Sequence, residues 1–189
     1  PPPDPLIYEY TPPVPDGARH MALDLAAGLG QNGLWLATQG YVVDIMDISR
    51  VALIRARQEM AMRNLRNVNL LPVDLDDADL GRFYYDLVCV FRYLKRDALP
   101  VVRNAIKPGG RIIYETYNLE YLRRVPEFNP RFLVEPGELA ANFQGWEILL
   151  DDEDEYISRL VAVRPHFQGG GVTQPIPALQ PDDDGKFSW

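Results

Sequence analysis

The sequence predicts a doubly wound α/β fold built on a seven-stranded, mostly parallel sheet with an antiparallel hairpin at one edge. Short apolar runs alternate with helical patterns along most of the chain, an alternation typical of parallel strands joined by crossover helices. The last two apolar runs, 146–150 and 156–163, have no helical pattern between them. They therefore predict two antiparallel strands, joined by the acidic segment Asp151–Glu155 as a solvated turn.

The other strands and helices follow in chain order from apolar runs and from the residues that end them. Five runs predict the earlier strands, over residues 21–26, 41–46, 68–73, 84–91 and 111–117. Helices are predicted over residues 31–39, 49–65 and 136–143. Ser49 is a favourable N-cap, Pro136 suits a first helical turn, and Lys107-Pro108-Gly109-Gly110 ends a helix before the fifth strand.

The two ends of the chain differ in composition from the residues between them. Residues 1–17 are rich in proline, which fixes φ and lacks a backbone donor, so we expect an extended arm. The apolar residues that would hold this arm on the body are Leu6, Ile7, Tyr8 and Tyr10. Residues 165–189 are rich in glycine, proline and aspartate and predict a tail outside the core, ending in Phe187 and Trp189. A single domain over residues 18–164 remains.

Composition excludes several classes of protein. Hydrophobic residues make up 47% and charged residues 24% of the 189-residue chain, the balance of a soluble globular protein. No apolar run is long enough for a membrane span and no signal-peptide pattern opens the sequence, so no membrane partner is expected. One cysteine and two histidines form no zinc pattern, which predicts no metal. A net charge of −8 disfavours nucleic-acid binding and leaves a cytoplasmic protein that acts on small molecules.

A glycine-rich loop follows the first strand and opens the next helix. Gly28, Gly30 and Gly33 match the pattern G-x-G-x-x-G, in which glycines permit a tight turn and bring the backbone close to a ligand. Asp47 lies near the distance at which dinucleotide-binding proteins place a ribose-binding acid. Taken alone, the pattern predicts a nicotinamide dinucleotide, or a tight strand–helix turn without a ligand.

Three carboxylates help to decide which of the possible cofactors the chain binds. Asp24 lies in the first strand, Asp47 ends the second and Asp74 ends the third, and the carboxyl ends of parallel strands meet at one crevice. Such carboxylates would repel the pyrophosphate of a dinucleotide by about 1 kcal/mol per close pair. An acidic crevice instead suits the sulfonium and ammonium groups of S-adenosylmethionine. The charges therefore favour S-adenosylmethionine over NAD.

Several segments together resemble a known family. The loop Asp24–Gly30 is similar to the nucleotide-binding motif of class I S-adenosylmethionine-dependent methyltransferases, Asp47 matches the acidic end of their second strand, and Lys107–Gly110 is a common feature before their fifth. The segments that resemble the tellurite-resistance-type branch are Arg92–Leu94, Tyr114–Tyr117, Asn129–Leu133 and Pro136–Leu139. The resemblance covers residues 18–164 and implies that the last strand is antiparallel and lies beside the fifth.

The chain departs from the family pattern at two places. Ala26 stands where the family has its first glycine, although alanine is still a small residue. The N-terminal helix that often covers the cofactor is missing or is replaced by the proline-rich arm. The resemblance therefore leaves the lid and the substrate pocket undefined.

The resemblance also implies the site residues by position. The residues expected to bind the cofactor are Asp24, Ala26, Gly28, Gly30, Asn32, Asp47, Ile48, Asp74, Leu75 and Phe91. Substrate-site candidates at the ends of the fourth and fifth strands are Arg92, Tyr93, Glu115, Tyr117 and Asn118. Arg92 has two open interpretations, because it could hold an anionic acceptor or pair with an acid such as Glu115. Methyl transfer depends mainly on positioning, so no catalytic residue is assigned.

The predicted function is S-adenosylmethionine-dependent methyl transfer to a small-molecule acceptor. One alternative is an NAD-dependent oxidoreductase, which the three glycines favour and the acidic crevice opposes. The other is a non-catalytic methyltransferase-fold module that binds a partner, which the unusual N-terminal arm leaves open.

Overall fold

The computed structural model describes residues 1–167, in which seven strands form one sheet. In chain order β1 to β7, the strands are Met21–Leu25, Val42–Asp47, Val68–Pro72, Tyr85–Phe91, Ile106–Tyr117, Glu147–Asp154 and Ile157–Val163. They lie in the order β3-β2-β1-β4-β5-β7-β6, with β7 antiparallel to both of its neighbours and the other pairs parallel. The predicted fold class is confirmed, including the antiparallel strand beside the fifth. The end of the predicted tail, with Phe187 and Trp189, lies outside the described residues.

Helices cover both faces of the sheet. The helices α1 to α5 are Pro5–Tyr10, Gln31–Thr38, Arg50–Met62, Leu99–Ala105 and Glu138–Ala141, and short 3₁₀ turns span Arg96–Ala98, Leu119–Arg123 and Pro130–Phe132. Alternate residues of β4 belong to two buried clusters: Leu87 and Cys89 pack with α1, α2 and α3, while Val88 and Val90 pack with α4 and α5. Within residues 1–167, no helix has the length and apolar character needed to cross a bilayer.

The N-terminal arm contains a helix, which corrects the expectation of an extended segment. Asp4 caps the first turn of α1 with its side chain, and Pro5 fits the first helical position because its missing N–H is not needed there. Leu6 and Ile7 are buried against the sheet, so the expected anchoring is confirmed for these two residues. Tyr8 is half exposed, but its ring makes an edge contact with Trp35 at a centroid distance of 4.8 Å, and Tyr10 packs partly buried against the same core cluster as Leu6 and Ile7. The arm is therefore fixed on the body through its apolar side chains.

Several other bounds differ from the predicted ones, and three of these differences concern the hairpin, β5 and α5. The acidic residues Asp151–Asp154 belong to β6 instead of the turn, because Arg159 on β7 lies directly opposite Asp152 and offsets the charge. β5 begins at Ile106, so the Lys-Pro-Gly-Gly segment lies within the strand. Helix α5 starts two residues later than expected, because Gly137 before it has a φ of +75°, outside the helical range.

The strand register brings the loops of the candidate site to one edge of the sheet. Leu25 at the end of β1 pairs with Met46 on one side and Val90 on the other. Phe91 at the end of β4 pairs with Glu115 on β5. The residues that follow β1, β2 and β4 therefore meet the end of β5 at the carboxyl edge, where open α/β sheets bind ligands.

Candidate active site

The loop between β1 and α2 has the backbone shape that its glycine pattern predicts. A Cβ on Gly33 would lie 2.8 Å from Ile45 Cγ1, so only glycine lets α2 pack this closely on β2. Gly28 has a φ of +57°, and a Cβ added to it would meet no atom within 4 Å. The backbone at Gly28 therefore borders open space into which a ligand fits.

The residues that directly follow β1 and β4 hold left-handed backbone conformations, although neither is a glycine. Ala26 and Arg92 both have a φ of +54°. This conformation costs an L-residue about 1 kcal/mol or more, because Cβ crowds the backbone. The strain at Ala26 explains why a glycine suits this position in the family.

Asp47 is fixed at the end of β2 by two backbone donors. Its Oδ2 accepts a hydrogen bond from Gly28 N at 2.8 Å, and its Oδ1 accepts one from Ser49 N at 2.7 Å. A carboxylate oxygen can accept two hydrogen bonds, so each retains one free acceptor site. Asp47 therefore offers two oriented acceptors beside the glycine loop.

A pocket of about 400 Å³ opens in front of this carboxylate. We call it the Asp47 pocket; its lining residues are Ala26, Gly28, Asp47, Ile48, Val73, Asp74, Leu75, Arg92 and Tyr93. The aliphatic side chains flank the carboxylates of Asp47 and Asp74. Burial raises the pKa of Tyr93, and the negative charges of Asp74 and Asp47 raise it further, because they disfavour a phenolate.

Asp24 does not face the Asp47 pocket, which corrects the predicted crevice of three carboxylates. Its side chain is buried, accepts a hydrogen bond from Gly33 N at 2.8 Å and lies 3.6 Å from the sulfur of Cys89. Burial raises its pKa to about 7 from an ordinary value of 3.8. Two carboxylates, not three, therefore line the pocket, and Asp24 holds the start of α2 instead.

The structure brings six of the ten predicted cofactor residues to the Asp47 pocket, namely Ala26, Gly28, Asp47, Ile48, Asp74 and Leu75. Besides Asp24, three others lie outside the lining. Asn32 is buried, and its Oδ1 accepts a hydrogen bond from Asp4 N at 2.8 Å. A Cβ on Gly30 would approach Ile45 at 3.2 Å, and Phe91 packs against a buried cluster. These residues shape the loop and the core.

The substrate-site candidate Arg92 is paired with carboxylates. Its Nη2 lies 3.1 Å from Glu115 Oε2, and its Nη1 lies 3.9 Å from an oxygen of Asp4. Glu115 Oε1 also accepts a hydrogen bond from Arg159 Nε at 2.9 Å. Burial raises the pKa of Glu115, and the charge of Asp4 raises it further. Of the two interpretations of Arg92, the structure agrees with the ion pair to Glu115.

The aromatic candidates have separate surroundings. Tyr93 lines the Asp47 pocket. Tyr117 stacks on Tyr121 with ring centroids 4.1 Å apart, in a cluster that also holds Phe128 and Tyr156. Tyr117 therefore forms part of an aromatic wall beside the end of β5.

Asn118 is a buried capping residue and is not available to a substrate, which corrects its place among the candidates. Its Oδ1 accepts a hydrogen bond from Glu120 N at 3.0 Å and caps the turn Leu119–Arg123. Its Nδ2 donates to Ser158 Oγ at 3.3 Å. Both ends of the amide are therefore used within the protein.

Sequence reasoning missed the charged residues that surround Arg92 and Glu115, among them Asp4 and Arg159. They border a second cavity of about 540 Å³, which we call the Glu115 cavity. Its lining residues are Asp4, Pro5, Leu6, Glu9, Tyr10, Arg92, Glu115, Leu150, Asp152, Ile157 and Arg159. The only local signal was Asp4 before Pro5, an N-cap pattern, and nothing in the sequence linked it to Arg92.

The family model of the tellurite resistance protein TehB matches residues 18–160, most of the chain. The chain belongs to this family. No curated protein matches it.

Solved structures share its fold at low sequence identity. An S-adenosylmethionine-dependent methyltransferase from Mesorhizobium loti has a TM-score of 0.69 at 20% identity, over 85% of this chain and 96% of that one. A putative one from Listeria monocytogenes has a TM-score of 0.68 at 13% identity, over the same shares. TehB from Haemophilus influenzae has a TM-score of 0.65 at 18% identity, over 78% of this chain and 58% of its own length.

The resemblance to class I methyltransferases and to their tellurite-resistance branch is thus confirmed. Membership of the family and the shared fold support S-adenosylmethionine-dependent methyl transfer, with S-adenosylmethionine as the cofactor. They give no support to an NAD-dependent oxidoreductase or to a non-catalytic module.

Proposed function

We propose that the chain transfers the methyl group of S-adenosylmethionine to a small-molecule acceptor, with the cofactor in the Asp47 pocket. The carboxylate of Asp47 carries the proposal, because Gly28 N and Ser49 N orient it while each oxygen keeps an acceptor site. Asp47 would bind the vicinal ribose hydroxyls, Ile48 and Leu75 would contact the adenine, and Ala26 and Gly28 would border the methionine part. When bound, S-adenosylmethionine supplies an electrophilic methyl group on a sulfonium.

The residues of the chain contribute mainly by placing the two reactants. Asp47 and Asp74 make the pocket electronegative, which favours a cationic methyl donor and disfavours a pyrophosphate. Arg92 and Tyr93 follow β4 at the rim of the same pocket, so we place the acceptor beside them. Positioning alone can supply much of the rate of such a displacement.

We assign this activity to residues 18–164 and propose a cytoplasmic location, without nucleic-acid or membrane partners. The single cysteine, Cys89, is buried and free, in keeping with a compartment in which disulfides are rare. Residues 1–17 would act as an arm that borders the acceptor side through Asp4.

The test has two stages. Calorimetric titration compares S-adenosylhomocysteine with NAD; we expect binding of the first alone, and preferential binding of NAD would contradict the proposal. Turnover is then assayed with a labelled methyl donor against small acceptors, including tellurite, for which the family is named. Binding without transfer to any acceptor would favour the non-catalytic module.

A further inference from the structure

The N-terminal arm contacts two parts of the site through Asp4, the residue before α1. Its backbone N–H donates to Asn32 Oδ1 near the start of α2, at 2.8 Å. Its Oδ2 lies 3.9 Å from Arg92 Nη1, and Arg92 borders both the Asp47 pocket and the Glu115 cavity. Asp4 therefore connects the arm to the helix after the glycine loop and to the acceptor side.

Glu115 on β5 contacts the same guanidinium and has one oxygen without a donor. Arg159 Nε donates to Glu115 Oε1 at 2.9 Å, which fixes the carboxyl group. Glu115 Oε2 lies 3.1 Å from Arg92 Nη2 but accepts no hydrogen bond within residues 1–167, although the side chain is only 4% exposed. An ionised carboxylate can only accept hydrogen bonds, so a charged Glu115 would leave this buried oxygen unsatisfied.

A proton on Glu115 turns the unsatisfied oxygen into a donor. The carboxyl groups of Asp4 and Glu115 lie within hydrogen-bond distance of each other, and two such groups form a hydrogen bond only when one of them is protonated. Burial raises the pKa of Glu115 above its ordinary 4.5, and the charge of Asp4 and the hydrogen bond to Asp4 raise it further. The neighbouring arginines act in the opposite direction without reversing the change.

We propose that Asp4 is a positioning residue: Glu115 Oε2 donates a shared proton to its carboxylate, and this bond fixes α1 near the end of β5 and holds Arg92 at the rim of the Asp47 pocket. Because Arg92 contacts both carboxyl groups, it keeps this orientation only while they stay together. The shared proton does not depend on the reaction. The part of Asp4 in methyl transfer rests on the proposed function.

The shared proton makes the attachment of the arm depend on pH. The charged and titratable groups around Glu115 in this cavity are Asp4 before α1, Glu9 and Tyr10 on α1, Arg92 after β4, Asp152 on β6 and Arg159 on β7. Because the pKa of Glu115 is raised, the folded state keeps a proton that the unfolded state loses above about pH 4.5. The bond is therefore intact at low pH and is lost as the pH rises through the raised pKa.

Carboxyl-carbon NMR of the whole chain with isotope-labelled glutamate tests the shared proton. In the wild type, the Glu115 signal should titrate with a midpoint above 4.5. In Asp4→Asn the midpoint should be lower, because the charge is gone and the amide donates to Glu115 without a proton, while the asparagine still caps α1. A wild-type midpoint at or below 4.5 would overturn the proposal without any variant.

Glu9→Gln is the matched control, because it removes another carboxylate that lines the same cavity from α1. It lowers the negative charge around Glu115 but leaves Asp4 in place. The Glu115 midpoint should therefore stay above that of Asp4→Asn. If both variants lower the midpoint equally, charge alone accounts for it and the shared proton is wrong.

The indole N–H signal of Trp35 reports the attachment of the arm, because the ring of Tyr8 on α1 contacts this indole at a centroid distance of 4.8 Å. In the wild type the signal should move as the pH rises through the Glu115 midpoint. In Asp4→Asn it should not move over that range, since the amide bond needs no shared proton. Asp24 titrates in both proteins, so their difference isolates the pair. Equal movement in both proteins would show that the proton does not fix the arm.

Turnover separates positioning from simple support of α1. Asp4→Ser keeps a helix cap but is too short to bond Glu115, whereas Asp4→Asn keeps both the cap and the bond. Below the Glu115 midpoint, with the acceptor that the labelled-donor assay identifies, Asp4→Ser should raise KM by about fivefold and change kcat less. Asp4→Asn should restore KM. Equal KM values in the two variants would remove Asp4 from the positioning of Arg92.

The result is separable from that of the proposed function. If S-adenosylhomocysteine binds and Asp4→Asn leaves the Glu115 midpoint unchanged, the shared proton is wrong and the methyltransferase assignment stands. If the midpoint falls as expected and S-adenosylhomocysteine does not bind, the shared proton stands and its part in methyl transfer is lost.

Discussion

The Asp47 pocket and the Glu115 cavity share Arg92 but are built in different ways. In the Asp47 pocket, the polar geometry comes from loop backbone, whose N–H groups at Gly28 and Ser49 fix one carboxylate. In the Glu115 cavity, it comes from charged side chains on separate elements, such as Asp4 before α1 and Arg159 on β7. The first is set by local chain geometry, and the second by a balance of charges across the fold.

The largest expected effect concerns Asp24, a buried charge beneath the glycine loop. Its pKa of about 7 in the folded protein exceeds the ordinary 3.8, so between these values the folded state holds a proton that the unfolded state has lost. The free energy of unfolding therefore falls by about 1.4 kcal/mol per pH unit as pH rises through this window, and changes no further above it. Asp24→Asn should remove this contribution.

Urea unfolding from about pH 4 to about pH 8 measures the difference between wild type and Asp24→Asn. The free energy of unfolding of the wild type should fall relative to that of Asp24→Asn as pH rises to about 7. Above about pH 7, the variant should therefore be the more stable protein. Parallel curves would show that Asp24 keeps its ordinary pKa.

The next effect tests the backbone-built pocket through Asp47. Asp47→Ala removes the ribose acceptors, so S-adenosylhomocysteine should bind about ten to a hundred times more weakly, or about 1.5–3 kcal/mol. Asp47→Asn should fall in between, because its amide keeps one acceptor oxygen. The alanine variant should also lose about 1 kcal/mol of stability, since Gly28 N and Ser49 N lose their acceptor.

Calorimetry on both variants is compared with Asp77→Ala, which removes a nearby exposed carboxylate outside the pocket lining. Equal affinities of wild type and Asp47→Ala for S-adenosylhomocysteine would refute the ribose contact.

The same contrast explains what the sequence could predict. The alternation of strands and helices, and the place of Asp47 at a strand end, follow from local patterns, which short-range chain geometry preserves. The burial of Asp24 does not follow from a local pattern, because a carboxylate near the end of a strand can face either the solvent or the core. Asn32 follows the glycine loop as predicted, but its amide oxygen accepts a hydrogen bond from Asp4 N. The two residues are 28 positions apart in the chain, so no local pattern predicts this contact.

Arg92 is the residue through which the two regions can be compared directly. Arg92→Ala should leave S-adenosylhomocysteine binding within about twofold, since no ribose acceptor is lost.

An anionic acceptor should bind less tightly to Arg92→Ala than to wild type. Its KM should rise, because the variant loses a charge-assisted hydrogen bond to the acceptor. A kcat/KM that stays unchanged for every acceptor tested would remove Arg92 from the acceptor side.

The smallest expected effect concerns the backbone at Ala26. Its left-handed conformation, with a φ of +54°, costs an alanine about 1 kcal/mol or more, whereas glycine adopts it freely. Glycine also makes the unfolded chain more flexible, which opposes this gain by about 0.4–1 kcal/mol. Ala26→Gly should therefore raise the free energy of unfolding by only about 0.5 kcal/mol. S-adenosylhomocysteine affinity should change less than about twofold, because no hydrogen bond to the ligand is altered.

Ala27→Gly is the matched control, since Ala27 is the next residue and is not among the described residues with positive φ. Here glycine relieves no strain, so the same unfolded-state entropy should lower the free energy of unfolding by about 0.4–1 kcal/mol. Urea unfolding at pH 7 should thus show a higher free energy of unfolding for Ala26→Gly and a lower one for Ala27→Gly. If both substitutions destabilise equally, Ala26 carries no strain, and the backbone geometry of the Asp47 pocket is as relaxed with alanine as with the family's glycine.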